Sequence, residues 1–250
     1  IIVFAEREKV KNLLIYDAIN RLLIENRIIA PKLYNENFKK SFIEVTDLGK
    51  NTVYNILKSK KKNNFKIFKK IVLLLEKIQK IKKKKVKNFK KKYYKIPKYS
   101  KNLLLKESKI FCDWYVPSKI KKNKIKFVNN ELVKKINFLL SKIEQKNDTF
   151  VHRDFHVSNL MMIKDKFGVI DTQDAVIGNK AYDLASLIDD VRFKTSNKFK
   201  KKIFKFYLKK NRNKIDLSKF KNDFDILSVL RNLKIIGIFT RLAKRDKKYN

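Results

Sequence analysis

The sequence predicts an α+β fold in which a short strand-bearing start gives way to helices, interrupted once by a small hairpin. Three observations predict it. Short apolar runs, Ile1-Ile2-Val3-Phe4 and Ser41-Phe42-Ile43-Glu44-Val45, fall near the beginning and read as strands. Helical periodicity fills most of the rest. Two further apolar runs, Leu160-Met161-Met162-Ile163 and Phe167-Gly168-Val169-Ile170, flank the polar turn Lys164-Asp165-Lys166 and read as a hairpin.

In chain order, Val10, Leu13, Leu14, Ile19, Leu22 and Leu23 predict a helix over residues 9–26, which Pro31 is expected to stop. Asp47-Leu48-Gly49 reads as a turn. Phe65, Phe68, Val72, Leu75 and Ile78 recur at helical spacing and define one apolar face. Residues 80–101 carry twelve Lys interleaved with Tyr93, Tyr94 and Tyr99. An aromatic-laced basic patch for nucleic acid is one reading of them; a solvated surface segment between two helices is the reading preferred here. Helical patterns resume near 101–115 and 128–145, at 181–192, and with breaks through 219–243. No internal repeat is visible.

The 250 residues, 44% of them hydrophobic, suffice for one substantial core or two small lobes. The single cysteine, Cys112, builds neither a disulfide framework nor a structural zinc site, so a cytoplasmic location is expected. No apolar run reaches membrane-spanning length, so no membrane partner is expected. The net charge of +40 would ordinarily point to nucleic acid. The excess is Lys, however: only nine of the 64 basic residues are Arg, the residue that reads bases through its bidentate fork. Asn, Ile, Phe and Tyr are abundant while Gly, Pro and Ala are scarce, the signature of AT-rich codons. Drift of composition accounts for the charge, and nucleic acid is not expected as the main partner. A basic surface would still attract anionic substrates.

Residues 151–190 depart from that drift: both histidines, both methionines and two of the four glycines fall there. Phosphoryl transfer needs a carboxylate near the acceptor hydroxyl and oxygen ligands for magnesium, a hard cation. Asp154 and Asn159 are five residues apart, the spacing of H-R-D-x-x-x-x-N. Such a loop can aim Asp154 at the acceptor and turn Asn159 back to the metal. Asp171 follows the hairpin and can face Asn159 across the site. Taken singly, each element has a plainer reading: Asp171 as a turn residue, His156 as a structural hydrogen-bonder. Together and in order they point to a kinase-type site.

His152-Arg153-Asp154-Phe155-His156-Val157-Ser158-Asn159 resembles the motif H-x-D-x-H-x-x-N of aminoglycoside phosphotransferases, choline kinases and their relatives. His156 separates that family from ordinary protein kinases. Gly168-Val169-Ile170-Asp171 resembles its metal-binding strand end, and Tyr182-Asp183-Leu184-Ala185 its downstream Y-D-L-A. A narrower resemblance, through Asp171-Thr172-Gln173-Asp174-Ala175, Phe111-Cys112-Asp113-Trp114-Tyr115 and Arg231 to Phe239, is to bacterial sugar kinases of cell-wall recycling. Those enzymes phosphorylate N-acetylmuramate and N-acetylglucosamine at the C1 hydroxyl, using ATP.

The resemblance implies a bilobal, protein-kinase-like fold. Residues 1–48 would be the remnant of a small nucleotide-binding lobe and residues 49–250 the mostly helical catalytic and substrate-binding lobe, carrying the catalytic-loop hairpin. It implies ATP and Mg2+ as cofactors, Asp154 as catalytic base, and Asn159 and Asp171 as metal ligands. His152, Arg153, His156 and Asp183 would support the loop. Thr46 and Leu48 would meet adenine through their backbones, and Asp113, Trp114, Gln173 and Asp174 would contact the sugar; Trp114 reads equally as core. Other small hydroxyl acceptors (an aminoglycoside, choline, homoserine) and a non-catalytic binding module are the alternatives. The chain opens on Ile1 rather than Met and lacks the glycine-rich phosphate loop of the family. A longer natural protein is therefore expected, with residues 1–250 alone binding ATP weakly.

Overall fold

A computed structural model describes residues 1–59, 64–212 and 215–247. In chain order the elements are β1 (Ile2–Phe4), α1 (Lys11–Glu25), β2 (Leu33–Asn37), β3 (Phe42–Val45), α2 (Val53–Lys58), α3 (Asn64–Gln79), β4 (Lys85–Lys87) and β5 (Tyr93–Lys95). Then follow α4 (Lys101–Ile110), α5 (Val116–Lys119), α6 (Ile125–Ser141), β6 (Thr149–Val151), β7 (Leu160–Ile163), β8 (Lys166–Val169) and β9 (Val176–Gly178). The chain continues through α7 (Tyr182–Ile188), α8 (Asn197–Asn211) and α9 (Leu217–Arg245). These elements form two compact units, one of residues 1–98 with 148–211, the other of 99–147 with 212–250.

In the first unit, β1, β3 and β2 form an antiparallel sheet with β3 in the centre. One face of α1 lies on it: Leu13 packs with Ile43 and Val45, flanked by Val3, Val10, Tyr16 and Leu33. Ile19, Leu22 and Leu23 of the same helix are fully buried. The helix ends at Glu25, ahead of Pro31, and not because of it. The Asn26 side-chain amide donates to the Leu22 carbonyl at 2.8 Å, and Arg27 turns left-handed at φ 58°. The terminal carbonyls are thus satisfied before proline is reached. Strand β2 is not signalled by the sequence. Its residues Tyr34, Asn35 and Glu36 are exposed, and it is an edge strand with a register shift between Leu33 and Asn35.

Helix α3 buries Ile67, Phe68, Ile71, Val72, Leu75 and Ile78, the face its periodicity predicts. Phe65 meets the rings of Phe199 and Phe206 on α8. The Lys-rich stretch departs from the expected featureless surface segment: β4 and β5 pair antiparallel, and Ile81, Val86, Ile96 and Tyr99 are buried beneath exposed lysines. β6 pairs with β9, another strand the sequence does not announce, and β7 pairs with β8 as predicted.

Two close approaches fix that hairpin in its unit. The Gly168 backbone passes so near Ile29 that a Cβ would lie 2.9 Å from its side chain. The Val169 N–H donates to the Ile29 carbonyl, and the Met162 N–H to the Asn51 carbonyl.

The second unit is helical. α4 runs through a π turn, Phe111–Tyr115, into α5, and α9 packs along both α4 and that turn. Gly237 allows it: a Cβ there would sit 2.5 Å from the backbone of Ile110 and Phe111. Asp223 on α9 is fully buried and accepts the N–H groups of Glu144 and Gln145, both at 2.9 Å, just past the end of α6. Among the described residues no helix is long and apolar enough to cross a membrane.

Candidate active site

The segment after β6 is held by a buried carboxylate. Asp183, in the first turn of α7, accepts the His152 N–H at 2.7 Å and the Arg153 N–H at 3.0 Å. Arg153 itself is left-handed, φ 73°, a conformation an L-residue holds only when its surroundings impose it. The His152 ring is fully buried and donates from Nε2 to the Ile170 carbonyl at 3.0 Å, tying the loop to the far end of β8. Burial pushes the His152 pKa down, against the opposing pull of the Asp154 and Asp171 charges, so the ring is neutral. Among the described residues its Nδ1 has no partner.

Residues 157–159 make a single 3-10 turn. The His156 N–H donates to the Asp154 carbonyl and the Asn159 N–H to the His156 carbonyl, so the loop curls back on itself. The Val157 N–H donates to Asp190, a buried carboxylate, at 3.3 Å. The Ile170 N–H donates to the Asn159 carbonyl at 3.1 Å, carrying the β7–β8 register past the strand ends. That register brings Asn159 and Asp171 together: the Asn159 Nδ2 is 3.2 Å from Asp171 Oδ2 and 3.1 Å from the Asp154 carbonyl. The His156 Nε2 lies 3.4 Å from the same amide.

Asp171 is exposed and left-handed, φ 61°. Its Oδ1 accepts from Gln173 Nε2 at 2.7 Å. Arg153 reaches Asp174, bonding its carbonyl at 3.1 Å with its carboxylate 3.4 Å away. Thr172, between these residues, points inward and donates to Asn20 Oδ1 on α1 at 2.7 Å. Asp154 is half-buried at the head of the loop.

A cavity of about 780 Å3 opens beside this cluster, within the same unit. Pro31, Val45, Thr46, Leu48 and Gly49 line one part of it, and Asn159, Asp171 and Gln173 another, with Met161 and Ile170 also on its wall. Tyr16 on α1 lines it too. Its phenol is pushed up by burial, pulled back by its hydrogen bond to Asn20, and pushed up further by the Asp171 charge. Gly49 needs its left-handed φ of 83° to turn the chain after β3, and its N–H is held by Asp47 Oδ1 at 2.7 Å. The Thr46 N–H is already bonded to the Lys32 carbonyl.

The structure therefore gathers Asp154, Asn159, Asp171, Gln173, Asp174, His152, Arg153, His156 and Asp183 in one place, with Thr46 and Leu48 on the adjoining cavity. Asp113 and Trp114 belong to the second unit, in its π turn, where Asp113 is exposed and Trp114 is half-buried. Sequence reasoning missed Tyr16, Asn20 and Asp190. The one available signal for Asn20 was a polar residue on the apolar face of α1, between Ile19 and Leu22.

The architecture is kinase-like. It superposes on an ADP-bound aminoglycoside phosphotransferase with a TM-score of 0.65 at 14% identity, covering 100% of this chain and 80% of that one. The sequence goes further than the shape. Residues 15–217 match the profile described as the phosphotransferase enzyme family, and the chain belongs to that family.

Two curated relatives share a name, N-acetylmuramate/N-acetylglucosamine kinase. The one from Neisseria meningitidis serogroup B is 32% identical over 159 residues, 61% of this chain and 47% of the relative. The one from Pseudomonas aeruginosa is 29% identical over 236 residues, 91% of this chain and 65% of the relative. The chain thus spans less than two-thirds of the length of either.

Proposed function

We propose that the protein is an ATP-dependent phosphotransferase acting on a small-molecule hydroxyl, the anomeric C1 hydroxyl of N-acetylmuramate or N-acetylglucosamine. The observation that carries this reading is the cavity that runs from Thr46 and Leu48 to Asn159 and Asp171, with the Asn159 amide bonded in turn to the backbone carbonyl of Asp154. The shared name of the two curated relatives supports the acceptor.

Residues 1–48 serve the nucleotide. With the Thr46 N–H committed to Lys32, the Thr46 carbonyl and the Leu48 backbone are the groups left for adenine. Residues 49–250 carry catalysis and the acceptor. The residues at the metal position fit a hard cation. The Asp171 carboxylate and the Asn159 side-chain oxygen would hold it, with Asn159 swinging Oδ1 toward Asp171 and giving up the Nδ2 bonds to Asp171 and the Asp154 carbonyl. Mg2+ bound there supplies neutralisation of the phosphate charge.

Asp154 accepts the proton of the acceptor hydroxyl as that oxygen forms its bond to the γ-phosphorus. The bond from the γ-phosphorus to the bridging oxygen breaks and ADP leaves with the electron pair. An anomeric hydroxyl is more acidic than an ordinary alcohol, so a carboxylate suffices as base. His152, Arg153, His156 and Asp183 fix the loop that aims it. Gln173 and Asp174, beside the reacting groups, are assigned to the sugar.

The test is ADP release by the full-length protein with magnesium-ATP and a panel of N-acetylmuramate, N-acetylglucosamine, glucose, choline and kanamycin. Turnover on the N-acetyl sugars, abolished in Asp154→Asn, is the expected result. Turnover confined to another acceptor would keep the kinase and remove the sugar. A folded, ATP-binding protein with no turnover on any of them would overturn the enzymatic reading.

A further inference from the structure

We infer that Asn20 and Thr172 form a positioning clamp for Asp171, an inference that rests on the kinase reading of the same site. Three observations carry it. Asp171 is exposed and left-handed at φ 61°, a backbone state uncommon outside glycine, though one that aspartate enters more readily than most residues. The next residue, Thr172, is fully buried, and its hydroxyl donates to Asn20 Oδ1 at 2.7 Å across 152 residues of sequence. Asn20 is itself 2% exposed and sits on α1 one turn after Tyr16, which lines the nucleotide cavity.

The bond is directional and lies one residue from the carboxylate. Rotation of the 171–172 peptide, which would swing Asp171 away from Asn159, would break it. The backbone on either side is also held, by the His152 ring at the Ile170 carbonyl and the Ala175 N–H at the Thr172 carbonyl, and side-chain amides from Asn159 and Gln173 bond one to each carboxylate oxygen. Those amides hold the carboxylate and not the backbone, and a metal would displace the first of them. The Thr172 hydroxyl remains when the site is loaded. Helix α1 thereby fixes the metal-facing carboxylate from within the core, and a ligand against Tyr16 touches the same helix. Neither residue touches the reacting atoms, so both act through Asp171.

The experiment is a Mn2+ titration of the full-length protein with a non-hydrolysable ATP analogue, following the free Mn2+ signal by electron paramagnetic resonance, with thermal unfolding in parallel. Groups that orient a metal ligand typically set affinity by about 10–100-fold, and Thr172→Val is expected to weaken Mn2+ by that much. Thr172→Ser keeps the donor and is expected to bind as wild type. The double variant Thr172→Val with Asn20→Leu removes the acceptor along with the donor, and with it the Asn20 bond to Tyr16. It is expected to fold and to bind Mn2+ as weakly as Thr172→Val, and it carries the test if the single variant does not fold. Wild-type Mn2+ affinity in a folded Thr172→Val, or its return in the double variant, would overturn the clamp. A wild-type protein that binds the analogue but no Mn2+ would sink the kinase reading itself, and the clamp with it.

Discussion

Replacing Asp183 by Asn isolates what the buried carboxylate does for the loop. The carboxylate accepts two backbone N–H groups, one on each oxygen, at 2.7 and 3.0 Å, and is fully buried. An amide of the same shape can accept only one of them and must turn its own N–H2 toward the other. One charge-assisted bond is lost and one buried donor is stranded, each worth about 1.5–3 and 1–3 kcal/mol, so a loss of about 3 kcal/mol is expected. For a protein of this size that lowers Tm by about 6–12 °C. The consequence for activity is larger than for stability. The stranded group belongs to His152 or Arg153, whose N–H bonds help to hold the left-handed turn, so on the proposed function Asp154 is expected to lose its aim. Thermal unfolding and ADP release under saturating ligands measure the two effects separately. A shift of less than about 1 kcal/mol, the scale of an ordinary surface substitution, would show that the loop is held by other contacts. Full activity beside a large loss of stability would show that Asp183 stabilises the unit without aiming the loop.

Gly237→Ala sets a helix-propensity gain of about 1 kcal/mol against a Cβ placed 2.5 Å from the backbone of Ile110 and Phe111. Backbone cannot step aside as a flexible side chain does, and overpacking costs about 1–3 kcal/mol or more, so Tm falls; an unchanged or raised Tm would refute the close approach. The His152 pKa is lowered from 6.5 by burial, so between the lowered value and 6.5 the unfolded chain binds more protons than the folded one. That contribution is fully present above pH 6.5 and is lost as pH falls through the window, by at most about 1.4 kcal/mol per pH unit. Urea midpoints at pH 7.5 and 5.5 should therefore diverge more in wild type than in His152→Gln, and equal slopes would refute a neutral buried ring.

How much of the fold could be read beforehand follows from where the stabilising partners lie. α3 was legible because its own residues decide which face is buried: Phe68, Val72, Leu75 and Ile78 repeat within one helix. β2 was not, because Leu-Tyr-Asn-Glu-Asn carries little strand propensity and is extended by pairing with β3. β9 pairs with β6 across the whole catalytic loop and hairpin, and three residues are too few for a period to show. In the Lys-rich stretch the lysines are exposed as read, but Val86 and Ile96 bury themselves through a hairpin of three-residue strands, below what alternation can register. The end of α1 was misassigned to Pro31 because an Asn side chain and one left-handed Arg leave no strong mark in sequence.

The clustering of the candidate site is more legible in the sequence than the scaffold, for the same physical reason. Asp154, Asn159 and Asp171 are tied to one another by a loop and a hairpin that are local in sequence, so their spacing survives inspection without any structure. What holds them in place is not local. Of the three left-handed positions in the segment, Lys164 sits in the hairpin turn, and Arg153 and Asp171 are each fastened by a buried polar group from elsewhere in the unit. The Asp183 carboxylate on α7 takes the Arg153 N–H, and Asn20 on α1 takes the hydroxyl beside Asp171. Left-handed backbone at a non-glycine residue persists where the surroundings over-determine it. Glycine at either position would remove the strain but also the guanidinium that reaches Asp174 or the carboxylate that faces Asn159. The segment keeps the functional side chains and accepts the strain, and the buried bonds from α7 and α1 offset it. A substitution in either helix, remote in sequence from the candidate site, therefore acts on the loop that carries Asp154 or on the carboxylate opposite Asn159.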